Sequence, residues 1–394
     1  MAHMRVRYLY KQILQDLSWS RVVSILGMRQ TGKTTLLHKV TNSYFPFDDT
    51  LIRNKALQEE WSFLEAAEFP IAIDECQIAP AAFNHVKHCV DNLKRPGQYI
   101  LTGSVRFLSK RDIKESLTGR TSILELLPMN LSESHRLPLS DFFSTLHQTT
   151  SNEKALKVLE KKARFKKSDI EQFLHLGGLP GICLKRNSVI RERLWEVHLE
   201  TVLSRDIEFV APTKLGFIKV RKLLIETLKQ SGLPINKALL AKVVGTSGPT
   251  VHRMLSAFEA LFLLKQHGST YYPCDIGLDY HLLQNSDLDN RLQLLKALFI
   301  ELRTQLEYRY RSHYEFSDVQ TRGGIHIPFH VRLKNQGQFA ITLDAEPRTS
   351  DKSQKSLTWY KKKSQQIRTI AIHLGEKGYV SSAGHLCIPI HWIF

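Results

Sequence analysis

An apolar run, Arg21-Val22-Val23-Ser24-Ile25-Leu26, breaks into Gly27-Met28-Arg29-Gln30-Thr31-Gly32-Lys33-Thr34, and this junction constrains the fold more than any other feature of the chain. The spacing Gly-x-x-x-x-Gly-Lys-Thr, after a buried strand and before a helix expected at 34–40, is that of a phosphate-binding loop. Its glycines let successive backbone N–H groups wrap phosphate oxygens, and the helix N-terminus adds positive potential. Lys33 is expected to reach the β- and γ-phosphates, and the Thr34 hydroxyl to ligate Mg²⁺. Gly27, Gln30, Thr31, Gly32, Lys33, Thr34 and Thr35 are therefore the candidate contacts for ATP and Mg²⁺.

A loop of this kind needs a second metal carboxylate on a neighbouring strand. Phe69-Pro70-Ile71-Ala72-Ile73 reads as such a strand and ends at Asp74-Glu75. Open α/β sheets bind ligands at that strand edge. Asp74 is the candidate partner of Mg²⁺, and Glu75 the candidate general base for the attacking water. A third run, Tyr99-Ile100-Leu101, ends at Thr102-Gly103-Ser104. Thr102 and Ser104 are candidates to orient that water or touch the γ-phosphate, or else to cap the next turn. Strands alternating with helical stretches such as 82–93 predict a parallel α/β sheet in the first 150 residues.

These segments carry a family resemblance. Gly27–Thr35, Phe47-Asp48-Asp49, Ala72-Ile73-Asp74-Glu75-Cys76-Gln77 with Pro80, Leu101-Thr102-Gly103-Ser104 and Ser116-Leu117-Thr118-Gly119-Arg120 occur in this order. The chain resembles the prokaryotic AAA+-type ATPases with an AAA_14 core and a DUF4143 C-terminal region. The resemblance continues through Gly177-Gly178-Leu179-Pro180, Leu203-Ser204-Arg205-Asp206-Ile207 and Asp275-Ile276-Gly277-Leu278. It implies a Gly-x-Pro turn in a helical lid, so Gly178 and Pro180 become candidate nucleotide contacts, with a plain helix-ending turn as the alternative. Arg120 becomes a candidate for stabilising transferred charge, in cis or on a neighbour's nucleotide. Its alternative is a surface ion pair, for instance with Glu115. The resemblance also implies a C-terminal region like PD-(D/E)xK nucleases. There Glu301 fits the first acidic position, but Pro328 replaces a metal Asp and Glu346, in Leu343-Asp344-Ala345-Glu346, replaces the lysine. An inactive nuclease-like fold is the expectation.

At 394 residues the chain is long enough for several domains. The expected organisation is an AAA+-like ATPase core over 1–147, a helical lid over 148–212, a winged helix-turn-helix over 213–285 and a small α+β nuclease-like domain over 286–394. Helices are expected at 153–167, 169–176 and 189–207. In the third segment, 236–244, a Gly245–Gly248 turn and 249–264 have the helix–turn–helix rhythm. Ser247 is placed to cap the second helix, whose outer face carries Thr250, His252, Arg253 and Ser256. Reading DNA and serving as an intramolecular lid are both open to it. Beyond 300, strands are expected at 325–333, 338–343 and 369–374, with a helix at 356–366.

The formal charge is +17. Residues 1–150 hold 18 basic and 15 acidic side chains, 151–290 hold 21 and 15, and 291–394 hold 16 and 8. An excess growing toward the C-terminus suggests an anionic partner, nucleic acid and DNA before RNA, or else a surplus without specific use. Five scattered cysteines without a CxxC pair indicate neither a disulfide framework nor a thiolate zinc site. No run approaches the roughly 20 apolar residues of a membrane span, so no membrane partner and a cytoplasmic setting are expected. Ala2-His3-Met4 reads as a vector-derived leader. The expected activity is that of an ATP- and Mg²⁺-dependent ATPase, a nucleotide-driven switch that binds nucleic acid through its basic half and allows an oligomer. The alternative is a slow or non-hydrolysing signalling ATPase whose winged helix and tail bind a protein partner.

Overall fold

The computed structural model describes residues 5–106, 117–284, 289–364 and 366–394. They form two compact units, each assembled from separated stretches: 1–129, 179–221 and 245–264 in the first, 130–178, 222–244 and 265–394 in the second. These units cut across the four consecutive segments expected above, because the chain returns to each unit more than once.

The first unit is built on a parallel sheet of β1 (Val22–Leu26), β2 (Ser43–Pro46), β3 (Ile71–Asp74), β4 (Tyr99–Gly103) and β5 (Thr121–Glu125), in the order β2-β3-β4-β1-β5. Every neighbouring pair is parallel, so all five C-terminal ends share one edge. β1, β3 and β4 are buried along their whole length, which is why they read as continuous apolar runs. The sequence reading expects the carboxylate strand beside β1, and the structure corrects this. β4 lies between, pairing Leu26 with Gly103 on one side and Ile73 with Leu101 on the other. Side chains at the end of β4 therefore sit between the loop and Asp74. The helix after the loop, Lys33–Leu37, is shorter than expected.

Helix Lys237–Val244 belongs to the second unit and helix Gly248–Ala260 to the first. Ser247 caps the latter by accepting from the Thr250 N–H. Val251, Met254, Leu255 and Phe258 are buried, and His252, Arg253 and Ser256 are exposed, as the 3.6-residue spacing predicts. A two-stranded ribbon follows, β6 (Leu264–His267) and β7 (Thr270–Pro273).

The second unit is organised by a mixed sheet of β8 (Tyr314–Gln320), β9 (His326–Leu333), β10 (Gly337–Leu343), β11 (Ile367–His373), β12 (Tyr379–Val380) and β13 (Leu386–Pro389), in the order β12-β13-β11-β10-β9-β8. β8, β9 and β10 form an antiparallel meander, and helix Asp351–Lys363 carries the chain to parallel β11. That helix starts five residues before the expected 356, because Ser350 caps it by accepting from the Ser353 N–H. The expected 153–167 helix ends at Lys162, and a second one runs Lys167–Leu176. Helix Asn290–Arg309 is buried on nearly all sides, with Phe299 stacked on Tyr272 at 4.1 Å. Among the described residues, no helix is long and apolar enough to cross a membrane.

Candidate functional site

The phosphate loop leaves β1 at a point that only glycine fits: a Cβ on Gly27 would lie 2.4 Å from the Leu126 carbonyl oxygen. Farther on, Gln30 (φ 67°) and Gly32 (φ 94°) adopt left-handed backbone, turning the loop around its own N–H groups. The Thr31 hydroxyl closes the turn on the Met28 carbonyl at 2.8 Å, and the Arg7 guanidinium donates to the Thr31 and Leu127 carbonyls. Lys33 is buried, and its ammonium donates to the Gly27 and Met28 carbonyls at 2.9 and 3.0 Å. Burial pushes its pKa below the usual lysine value, against the pull of Glu75 and Asp74.

Asp74 ends β3 as a buried carboxylate that collects three hydroxyls. Thr34 donates to its Oδ2 at 2.6 Å and Tyr44 to the same oxygen at 2.9 Å, while Thr102 donates to Oδ1. Burial and the Asp74 charge together push the Tyr44 phenol well up. Glu75 turns out of the strand with φ 53°, and its Oε2 accepts from the Gln77 amide at 2.6 Å, the Ser104 hydroxyl at 3.0 Å and the Ser104 N–H at 3.3 Å. Its Oε1 has no hydrogen-bond partner among the described residues. Thr102 and Ser104, at the end of the intervening strand, thus orient one carboxylate each.

A cavity of about 640 Å³ within the first unit opens over this edge. Gln30, Thr31, Gly32, Lys33, Thr34, Thr35, Asp74, Glu75 and Pro180 line it; Gly27, Thr102 and Ser104 stand behind the lining. Gly178 does not line it, because its N–H is donated to the Asp275 carboxylate at 2.8 Å within the second unit; Gly181 lines the wall beside Pro180. Arg120 is also absent from the wall. It grips Asp91 through Nε at 2.6 Å and Nη2 at 2.9 Å, a half-buried bidentate pair that leaves no support for a role in cis. Glu115 and Ser116, like residues 1–4, lie outside the described residues.

Sequence reasoning missed Tyr44, Gln77, Arg7 and, on the loop itself, Arg29. The Arg29 guanidinium holds the buried Asp206 through Nε at 3.0 Å and Nη2 at 3.4 Å. Asp206 closes a wide helical turn, Thr201–Asp206, and also accepts from Arg205 at 3.2 Å. Asp206 lies in the Leu203-Ser204-Arg205-Asp206-Ile207 segment that carries the resemblance, and that was the available signal.

In the second unit, Glu301 is fully buried and takes hydrogen bonds from the Asn130 amide at 3.0 and 3.2 Å and the Gln305 amide at 2.8 Å. Burial raises its carboxyl to about 7. Asp344 is spent on Ser350 and Ser353, at 2.6 and 2.9 Å through their hydroxyls. Pro328 lies within β9 and Glu346 is exposed. Lys361, Lys362 and Lys363 are exposed at the end of helix Asp351–Lys363, where the Lys363 ammonium sits 4.1 Å over the Trp359 ring.

An uncharacterized protein of Methanocaldococcus jannaschii is 26% identical over 261 residues, 62% of this chain; the chain spans 56% of that relative's length. Among solved structures, the Walker-type ATPase of Pyrococcus abyssi is similar at a TM-score of 0.44 and 15% identity, covering 69% of this chain and 94% of its own. The RuvB Holliday junction branch migration motor of Thermotoga maritima is similar at 0.28 and 15%, covering 68% and 92%. A family model described as an AAA domain, AAA_14, matches residues 20–135, from the start of β1 through the loop, Asp74-Glu75 and β5. Residues 20–135, with their parallel sheet and phosphate loop, are thus the part of the chain that is similar to AAA domains.

Proposed function

We propose that the chain binds ATP with Mg²⁺ in this cavity and hydrolyses it, acting as a nucleotide-driven switch. The observation that carries the reading is the 2.6 Å hydrogen bond between Thr34 and Asp74, which brings the loop hydroxyl and the strand carboxylate to one point beside Lys33. Two adjacent oxygen donors suit a hard divalent cation. Among the described residues no group of three or more His, Cys, Asp or Glu is disposed to hold a metal. Thr34 and Asp74 would therefore hold Mg²⁺ only together with phosphate oxygens, so metal and nucleotide bind as one ligand. When bound, the ion neutralises phosphate charge and withdraws electron density from the bond that breaks. The chain supplies the rest. The loop N–H groups and Lys33 hold the phosphates, Thr102 and Tyr44 fix Asp74, and Ser104 with Gln77 fixes one oxygen of Glu75 so that Oε1 can accept the proton of water.

The test is ATP affinity and turnover in two variants. Lys33→Ala is expected to lose ATP binding while remaining folded; unchanged affinity would overturn the assignment. Glu75→Gln is expected to bind ATP normally and to turn over about 10²–10⁴-fold more slowly, since an amide cannot accept that proton. Normal turnover would move the base elsewhere.

We infer further that the basic second unit engages nucleic acid, carried by the exposed Lys361-Lys362-Lys363 cluster beside Trp359, with His252 and Arg253 of the first unit adding modest base preference. The order helix, antiparallel meander, helix, parallel strand supports reading the C-terminal sheet as a nuclease-like scaffold. Its two buried carboxylates are held by side-chain amides and hydroxyls, which favours binding over cleavage.

A further inference from the structure

Arg29 and Asp206 lie 177 residues apart, and their pairing serves more than packing. Arg29 sits on the phosphate loop between Gly27 and Lys33 and lines the cavity, with 28% of its side chain exposed. The Nε–Nη2 edge of its guanidinium is turned onto Asp206, whose side chain is only 4% exposed. Nη1 has no hydrogen-bond partner among the described residues. A planar cation held along one edge by a buried carboxylate is fixed in orientation, with its other edge left for a second oxyanion. Holding it before the ligand arrives reduces the ordering entropy lost on binding.

Of the other cations on the wall, Lys33 is folded back on loop carbonyls, Arg7 holds the Thr31 and Leu127 carbonyls, and Arg5 and Lys39 stand outside the Gly27–Thr34 loop; Arg120 is committed to Asp91 away from the wall. Backbone N–H groups of a loop of this kind cradle the α- and β-phosphates, which a triphosphate and a diphosphate share, so they distinguish the two poorly. A guanidinium projecting from the loop is suited to the outermost group, where charge spreads over three oxygens during transfer.

Resting on the ATP-binding reading above, we propose that Arg29 contacts the terminal phosphate in cis and that Asp206 is its positioning residue, so that the ion pair makes the cavity selective for triphosphate over diphosphate. Arg29 is then a catalytic residue supplied by the loop itself. The stretch from which Asp206 comes, 179–221, takes part in the chemistry through that one carboxylate.

The experiment compares ATP and ADP affinities and single-turnover rates for wild type, Arg29→Met, Asp206→Asn and Lys33→Ala. Arg29→Met is expected to weaken ATP by about ten- to hundredfold, the loss of one charged hydrogen bond, while ADP stays within about twofold. Its turnover should fall by about 10³-fold. Asp206→Asn keeps an acceptor for Nε but loses the charge that fixes the plane, so turnover should drop with ADP affinity unchanged. Equal weakening of ATP and ADP in Arg29→Met would reduce Arg29 to a loop support and overturn the proposal, as would an unchanged ATP-to-ADP ratio. Should Arg29→Met not fold, Arg29→Lys carries the same comparison, since an ammonium cannot grip Asp206 along one edge and phosphate along the other. Lys33→Ala separates the two levels: undiminished binding of both nucleotides there discards the cavity as the site, whereas intact Lys33 dependence with a flat Arg29 response discards only the role of Arg29.

Discussion

His198 is 1% exposed, and neither ring nitrogen has a hydrogen-bond partner among the described residues. Burial lowers its pKa to about 4, with the positive Arg29 adding to the effect and Asp206 opposing it. A histidine whose folded pKa lies below its unfolded value near 6.5 contributes nothing above that value, where both states are neutral. As pH falls from 6.5 to 4 only the unfolded state takes up the proton, so stability declines, by about 3 kcal/mol in all. His198→Leu should remove that increment. Denaturant midpoints at pH 7.5, 5.5 and 4.5 should therefore converge toward wild type at high pH and separate at low pH. Parallel curves would show that His198 is solvated in a way its burial does not suggest. At this scale the sequence was informative where chemistry fixes spacing. Lys33, Thr34, Asp74 and Glu75 were named from the sequence because a loop and a strand-ending acid pair have few other uses. Tyr44 and His198 were not, and Asp206 was named without a role, because their importance arises from neighbours 30 or more residues away that no local pattern links.

Among elements, two glycine-containing stretches nearly 100 residues apart form one interlock in the second unit. Asp275 caps helix Ile276–Leu283 by accepting from the Gly277 and Leu278 N–H groups at 2.8 and 3.2 Å, and its other oxygen accepts from Gly178. A Cβ on Gly177, whose φ is +68°, would lie 2.3 Å from Asp275 Oδ1; one on Gly277 would lie 2.8 Å from the Leu176 carbonyl oxygen. Asp275→Ala strands three buried N–H groups and should cost about 3 kcal/mol or more, while Asp275→Asn, which retains two acceptor sites on one oxygen, should cost less. Thermal or denaturant unfolding decides it; equal losses in the two variants would mean that water replaces the carboxylate. The resemblance put Gly178 on the nucleotide, yet its N–H is used here. Strand identity was legible in β1, β3 and β4 because full burial imposes continuous apolar runs. Edge strand β2, half-buried, and two-residue β12 carry too little pattern to be read. The helix start at Asp351 was missed because its signal is a single capping hydroxyl.

For the whole molecule, the second unit holds 29 basic and 19 acidic side chains and the first 26 and 19. If the surplus meets nucleic acid, affinity should fall roughly 10³–10⁵-fold between 50 and 200 mM salt for six to ten neutralised phosphates. Replacing Lys361, Lys362 and Lys363 together by Ala should flatten that slope, whereas Arg253→Ala should alter sequence preference more than affinity. Salt-titrated binding of duplex and single-stranded DNA and RNA measures this. Failure of every strand to bind at 50 mM would turn attention to a protein partner. The interleaving of the units also orders events during synthesis. The phosphate loop is complete once Thr35 has been added, but the cavity wall at Pro180, Gly181 and Leu184, and the Arg29 partner Asp206, come 145 to 171 residues later. At about 5–20 residues per second, the ribosome displays an unfinished cavity for roughly 10–30 s. Nascent chains therefore pass through a stage that has the loop but lacks the far wall, and the cavity is walled on all sides only after the second stretch of the first unit has emerged.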